Sequence, residues 1–164
     1  MTPMLVAVDI GNTNIHLGLF EDEKLVKHLR QRADADLDNL SLESSILEDT
    51  SNFVLASVNP RIEELFCQWL ASKWGGKPLR IPKDIPLKMP ILAENPERVG
   101  IDRLLNALAA FSRTQSATIV VDMGTAITVD AVSRRGEFLG GIIAPGLETF
   151  KEALHTRTAF LPRV

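Results

Sequence analysis

The chain has one cysteine, Cys67, in 164 residues, so it can form no internal disulfide and no multi-cysteine metal site. That suits a reducing compartment. The three histidines, His16, His28 and His155, are scattered without metal-ligand spacing and read by default as structural or surface residues. No run of apolar residues reaches the length of a membrane span, and the start, Met1-Thr2-Pro3-Met4, has neither a charged leader nor an apolar core behind it. Charge of one sign is never collected into a long block, and the formal net charge is only −3. Neither nucleic acid nor an anionic membrane has an electrostatic foothold here, and a small-molecule partner is expected. What the chain does have is apolar residues, 45% of the total, enough for a real core in one domain or in one domain and part of another.

The organising stretch is Val8-Asp9-Ile10-Gly11-Asn12-Thr13-Asn14, set between the apolar runs Met4 to Val8 and Ile15 to Phe20. It reads as strand, tight turn, strand. Gly11 lets backbone approach a ligand, Asn12, Thr13 and Asn14 ring the turn with hydrogen-bonding groups, and Asp9 offers oxygen to a hard cation such as magnesium. An ordinary hairpin with a polar turn would look the same. The pattern recurs, however, in Val120-Val121-Asp122-Met123-Gly124-Thr125-Ala126, followed by a strand over Ile127 to Val132. Beyond each hairpin a polar turn, Glu21-Asp22-Glu23 or Arg134-Arg135-Gly136, leads to a third strand. Two β-β-β units, each with Asp-x-Gly in its first turn, imply a duplicated fold whose two loops face each other across a cleft and grip a nucleotide triphosphate.

In chain order, a strand over Leu25 to Leu29 is followed by a helix carrying Leu37, Leu40, Ser44 and Leu47 at helical spacing. Phe53 to Val58 fits a buried parallel strand. Asn59-Pro60 opens a helix with apolar face Ile62, Leu65, Phe66, Trp69 and Leu70, closed by Gly75-Gly76. Leu79 to Ile81 suits an edge strand, and Pro82, Pro86 and Pro90 then force an extended connection, a mere connector or a pocket wall. Positions 101, 104, 105, 108 and 109 mark a helix running to about Phe111. The order βββαβα, a strand and a third helix is the ribonuclease-H-like arrangement, and Ser116 onward starts a second copy. The expected fold is therefore α/β, a duplicated ribonuclease-H-like fold of the actin-like ATPase kind, with a complete first lobe at 1–115 and a partial second lobe at 116–164.

At the amino end of the 101–111 helix stand Asp102 and Arg103. Asp102 would there complement the helix dipole and cap free N–H groups, or accept a proton from a substrate hydroxyl; Arg103 would pair with a substrate anion. Phosphoryl transfer asks chiefly for alignment and charge stabilisation, which one carboxylate, one metal ion and two phosphate-gripping loops can supply. The glycines of Gly140-Gly141-Ile142-Ile143-Ala144-Pro145-Gly146 either let backbone pass close to a ligand or only bend a strand. A helix over Leu147 to Leu154 follows.

Taken together, Asp9-Ile10-Gly11-Asn12-Thr13-Asn14, Gly100-Ile101-Asp102-Arg103 and Asp122-Met123-Gly124-Thr125-Ala126 resemble the three signature motifs of type III pantothenate kinase, in the acetate-kinase, sugar-kinase and actin superfamily. Asn95-Pro96 and Gly140-Gly141 to Gly146 extend the resemblance over essentially the whole chain. It implies ATP-dependent phosphorylation of pantothenate to 4'-phosphopantothenate, the first step of coenzyme A biosynthesis, with Mg2+ and a monovalent cation, K+ or NH4+. By position, it assigns ATP phosphates to Asp9, Ile10, Gly11, Asn12, Thr13, Asn14, Ile15 and His16, with Asp9 near the magnesium. Gly100, Ile101, Asp102 and Arg103 would hold pantothenate, with Asp102 the proton acceptor; Asp122 would ligate potassium and Thr125 touch the nucleotide. The resemblance also implies a cytoplasmic homodimer with its substrate pocket at the subunit interface.

The family's usual tyrosine two residues before Asn-Pro is Ala93 here, and the chain contains no tyrosine. Its second copy, residues 117–164, stops well short of the first, so an open apolar sheet face is expected, prone to aggregate or to recruit another chain. A rival from a different class is a non-catalytic relative, a ligand-binding accessory factor or inactive fragment. A sugar kinase of the same superfamily is the third reading.

Overall fold

The computed structural model describes residues 4–34, 37 and 50–162. It falls into two compact units, Met1–Leu87 and Lys88–Val164. The lobe boundary expected at 115/116 comes from the repeat in the sequence, whereas these units are defined by packing; the helix after Gly100 groups with the second sheet.

In the first unit, strands β1 (Met4–Ile10), β2 (Asn14–Glu21), β3 (Lys24–Arg32), β4 (Thr50–Ser57) and β5 (Leu79–Ile81) form one sheet in the order β3-β2-β1-β4-β5. The first three run as an antiparallel meander, while β4 lies parallel to β1 and β5 parallel to β4. This is the ribonuclease-H-like order. β3 reaches beyond the apolar stretch Leu25 to Leu29, since an edge strand keeps its ladder to β2 as far as Arg32 while its polar side chains stay in water. The helix expected around Leu40, Ser44 and Leu47 lies outside the described residues; Leu37 is described and is buried in the core.

Helix α1 (Pro60–Trp74) starts as anticipated, with Asn59 as N-cap accepting the Ile62 N–H at 3.3 Å and Pro60 in the first turn. It ends at Gly75, whose left-handed φ of 79° lets its N–H return to the Ala71 carbonyl at 3.0 Å. Ile62, Phe66 and Leu70, four residues apart, bury one stripe against Val6, Val8, Ile10, Ile15, Leu17, Leu19, Phe53 and Leu55. Trp69 and Trp74 flank this core, as the sequence pattern indicated for Trp69.

In the second unit, β6 (Thr118–Met123), β7 (Ala126–Val132) and β8 (Phe138–Pro145) form an antiparallel meander, the same opening as the first sheet. Helix α2 (Ile101–Thr114) packs on β6 and β7, and α3 (Leu147–Arg157) follows β8. The proline-rich connection is an edge partner: Leu92 N–H donates to the Phe138 carbonyl at 2.8 Å and Phe138 N–H to that of Pro90 at 2.9 Å. Among the described residues no helix is long and apolar enough to cross a membrane.

The β7–β8 turn is closed by Glu137, whose carboxylate accepts the Ser133 hydroxyl at 2.7 Å and the Arg135 Nε–H at 3.2 Å. The Ser133 hydrogen bond first, and Arg135 second, hold its pKa below the ordinary glutamate value. A carboxylate depressed in this way supports the turn at neutral pH and ceases to do so as pH falls through its folded pKa. Carboxyl NMR is expected to show Glu137 titrating below the ordinary glutamate value, and Ser133→Ala to move its midpoint back up.

Both tryptophans of the chain lie on α1, so their fluorescence reports the first unit alone. Phe66→Ala empties a fully buried site and is expected to destabilise that unit by about 3–5 kcal/mol in urea unfolding followed by tryptophan emission.

Candidate active site

Parallel pairing of β1 with β4 brings the carboxyl ends of two strands side by side, the end of an α/β sheet where ligands characteristically bind. Val58 N–H donates to the Ile10 carbonyl at 3.0 Å, fixing the loop after β4 beside the loop after β1. Within the latter, Gly11 N–H donates to the Asn14 carbonyl at 2.9 Å, and Ala33 N–H donates to that of Thr13 at 2.8 Å. The turn is thus tied at its base, while Asp9, Asn12 and Thr13 are exposed and Ile10 and Ile15 are buried in the core. Ile10 and Ile15 therefore position the loop from beneath. His16, half-buried on β2, stacks on His28 of β3 with ring centroids 5.3 Å apart and Nδ1 3.1 Å from His28 Nε2. Ser57 and Asn59, unremarked as site candidates in the sequence, sit at the end of β4, where the Ser57 hydroxyl accepts the Asn59 N–H at 3.0 Å. Only the strand pairing brings them beside the Asp9 loop.

In the second unit, the Asp122 loop is built on the same plan but held differently. Gly124 N–H donates to the Ala126 carbonyl, and the Thr125 carbonyl accepts both Gly146 N–H at 2.9 Å and the Thr149 hydroxyl at 2.8 Å. Gly146 is the N-cap of α3, and a Cβ there would collide with the Gly124 and Thr125 carbonyls. A side chain at 146 would push the helix off the loop. The loop and the N–H groups of α3's first turn are consequently neighbours, a combination suited to anions.

Gly100 is the N-cap of α2, without a side chain to cap it. Asp102, half-buried in the first turn, accepts the backbone N–H of Arg103 at 2.8 Å, so the capping role weighed for it is realised. Arg103 turns toward the sheet. Its Nε–H reaches both carboxylate oxygens of Asp130, at 3.1 and 3.2 Å, while Nη2 closes a further short contact to the same group. Asp130 is only 1% exposed, and the guanidinium lies 5.7 Å from the centre of the Phe138 ring. One turn further along, Asn106 donates to Asp122 at 3.0 Å. Gly141 now has a reason: a Cβ at that position would run into the Val129 carbonyl and the Asp130 carboxylate. Gly141 thus makes room for a neighbour within its own sheet, a role beyond the two weighed for the glycine pair.

Asp130 went unmarked in the sequence, because a lone aspartate between Val129 and Ala131 carries no motif; its place in a strand next to a Gly-Gly strand was the available hint. Ala93 lies near Gly140. Cys67, half-buried on α1, has its thiol pKa raised by burial first and by Glu63 second, with Arg80 opposing, which favours the thiol over the reactive thiolate. Among the described residues no group of three or more His, Cys, Asp or Glu side chains is arranged to hold a metal. The oxygen donors Asp9 and Asp122 nonetheless fit hard cations chemically, since magnesium usually takes one or two carboxylates and completes its shell with substrate phosphates and water.

A buried pair that loses one member leaves an uncompensated charge. Asp130→Ala is expected to destabilise the second unit by about 3–5 kcal/mol, measured by hydrogen exchange of the β7 amides. The double change Arg103→Met with Asp130→Leu should recover most of that loss.

The family model described as type III pantothenate kinase matches residues 5–164. A type III pantothenate kinase from Moorella thermoacetica is 42% identical over 171 residues, covering 98% of this chain and 67% of that relative. One from Syntrophobacter fumaroxidans is 40% identical over 174 residues, covering 98% and 66%. The chain thus spans about two thirds of the length of these curated relatives. Among solved structures, the ethanolamine utilization protein EutJ from Carboxydothermus hydrogenoformans aligns with a TM-score of 0.52 at 16% identity, covering 96% of this chain and 58% of that one. A Ppx/GppA family member from Aquifex aeolicus aligns at 0.51 and 13% identity, covering 99% and 56%. At such identities these two show the fold alone: the duplicated, actin-like arrangement with its second lobe partial.

Proposed function

Because the chain belongs to the type III pantothenate kinase family, we propose that it carries the phosphate loops and the proton acceptor of an ATP-dependent kinase for pantothenate. The product is 4'-phosphopantothenate, on the way to coenzyme A. What carries this reading is the presence of all three signature segments, with Asp102 fixed in the first turn of α2 and one of its oxygens held by the Arg103 N–H.

In the reaction so read, the primary hydroxyl oxygen of pantothenate attacks the γ-phosphorus of ATP as the bond to the ADP oxygen breaks. The hydroxyl proton passes to Asp102. The N–H contact occupies one carboxylate oxygen and fixes the group's direction, leaving the other to accept that proton. Gly100 and Ile101 bring pantothenate to the start of α2, and Arg103 positions that end of the helix through Asp130. Residues Asp9 to His16 hold the phosphates, with Asn12 and Thr13 supplying hydrogen bonds from the exposed turn; Thr125 meets the nucleotide. Asp9 would hold Mg2+ and Asp122 a monovalent cation, ions whose charge offsets that of the phosphates. A cytoplasmic homodimer belongs to the same reading.

One observation favours a second reading, a ligand-binding accessory factor without turnover: the Arg103 guanidinium is engaged by Asp130 inside the unit. Phosphorylation assays with ATP, Mg2+, K+ and pantothenate separate the two. They are best run on this chain and on a form extended with the remaining third of the Moorella thermoacetica relative. Loss of a positioned base is expected to lower turnover of the extended form by about 10²–10⁴-fold in Asp102→Asn, with ATP binding kept. Equal turnover by wild type and Asp102→Asn removes Asp102 as the base. ATP binding without phosphorylation by either length supports the accessory factor.

A further inference from the structure

The ladder between β1, β2 and β3 sorts their side chains onto two faces. Val8, Leu17 and Leu29 stand in one row across the three strands, and Ile10, Ile15 and Gln31 in another. Val8, Leu17, Ile10 and Ile15 are buried in the core with α1. The row between them, Asp9, His16 and Arg30, therefore faces the other way, and beyond it Asn14 pairs with Arg32. Asp9, Arg30 and Arg32 are exposed. These positions lie at the end of the sheet that carries the Gly11 to Asn14 turn, and the N–H of Ala33, next after Arg32, is bonded to the Thr13 carbonyl of that turn.

Spacing, residue type and availability together give the two arginines a role. Neighbouring strands lie about 4.8 Å apart, so β3 runs about 10 Å from β1, and a long side chain on the Asp9 face of β3 reaches over β2 to the surroundings of the turn. The strand carries Lys24 and Lys27 toward its far end and arginine only beside the turn, at 30 and 32. Charge that merely guards an edge strand is supplied as well by lysine, whereas a planar fork of donors suits the paired oxygens of a phosphate. Among the described residues neither arginine is taken up by an ion pair, while Arg80, Arg103 and Arg135 each are. His16, next to Arg30 in the row, has its Nδ1 committed to His28, which stands opposite Gly18, one row farther from the turn. The two rows beside the turn thus hold one carboxylate, Asp9, against two guanidiniums.

We propose that Arg30 and Arg32 bind polyphosphate: they close on the outer phosphates of the nucleotide whose triphosphate the Asp9 to His16 segment holds, a role that rests on that reading of the segment and extends the site to the edge strand β3. None of the three signature segments includes this strand. The N–H and hydroxyl donors of the turn orient phosphate oxygens, and the guanidiniums bring net positive charge to a ligand with several negative charges, so binding strengthens with each phosphate added.

The test measures binding of ATP, ADP, AMP and inorganic tripolyphosphate, each with Mg2+, by calorimetry on this chain and on the extended form, and follows the amides of residues 11–14 by NMR. Wild type is expected to bind ATP and tripolyphosphate with shifts at those amides. Arg30→Gln and Arg32→Gln are each expected to weaken both ligands by about tenfold, as loss of a charge-assisted hydrogen bond does, and to leave AMP unchanged. Lys24→Gln, which removes the same charge at the far end of the strand, should leave every affinity as it was. Because all three side chains are exposed, tryptophan-detected melting of the first unit should stay at the wild-type temperature in each variant. ATP binding with shifts at 11–14 that neither arginine substitution weakens overturns the proposal and leaves the kinase reading standing. An equal loss for AMP, or an equal loss in Lys24→Gln, overturns it as well. Absence of any shift at 11–14 in both lengths removes the phosphate-loop reading itself, and this one with it.

Discussion

The ion pair between Arg103 and Asp130 is the constraint on which the second unit is built. Asp130 sits inside a strand with almost no solvent contact, and an unpaired carboxylate there would be strongly disfavoured. The guanidinium that compensates it belongs to the third residue of α2, so satisfying the charge fixes both the position and the rotation of the helix on its sheet. Three further features follow from that placement. Position 141 must be glycine to leave room for the carboxylate, Phe138 lies beneath the cation, and Asn106 is carried one turn along the helix to Asp122. Asp102, adjacent in sequence, has one carboxylate oxygen held by the N–H of that same arginine.

The ion pair also changes how the Gly-x-Asp-Arg segment is understood. An arginine beside a candidate catalytic aspartate invites a role in gripping an anionic substrate, and the proposed chemistry does need positive charge. In this fold the guanidinium spends its forked geometry on an internal carboxylate. Through that pair it holds the first turn of the helix that carries Asp102.

Duplication explains the contrast between the units. The same hairpin, with the same inward register, is closed by a helix in one copy and open in the other. In the first it nucleates a core of aliphatic and aromatic residues around Phe53 and Phe66. In the second its apolar residues face solvent, while the structure gathers its buried groups on the other side, around Ile101, Leu104, Ala107 and Phe138. An apolar surface whose counterpart the sister copy buries carries the sequence pattern of an interior.

The Asp-x-Gly repeats, the α1 boundaries set by Asn59-Pro60 and Gly75, and the apolar periodicity of α2 were all readable from residue order. Each rests on short-range physics: glycine's freedom in a turn, an N-cap oxygen, a 3.6-residue stripe. Strand ends were less legible, since β3 continues through charged residues because its partner does, not because its own side chains ask for it. Asp130, Ser57 and the purpose of Gly141 and Gly146 were out of reach, because each is defined by an atom distant in sequence. The chain alone thus determined its elements, its duplication and its family. Which carboxylate is sealed inside, which arginine answers it and which face stays bare were decided by tertiary packing, because burial and charge pairing are properties of residues that only folding makes neighbours.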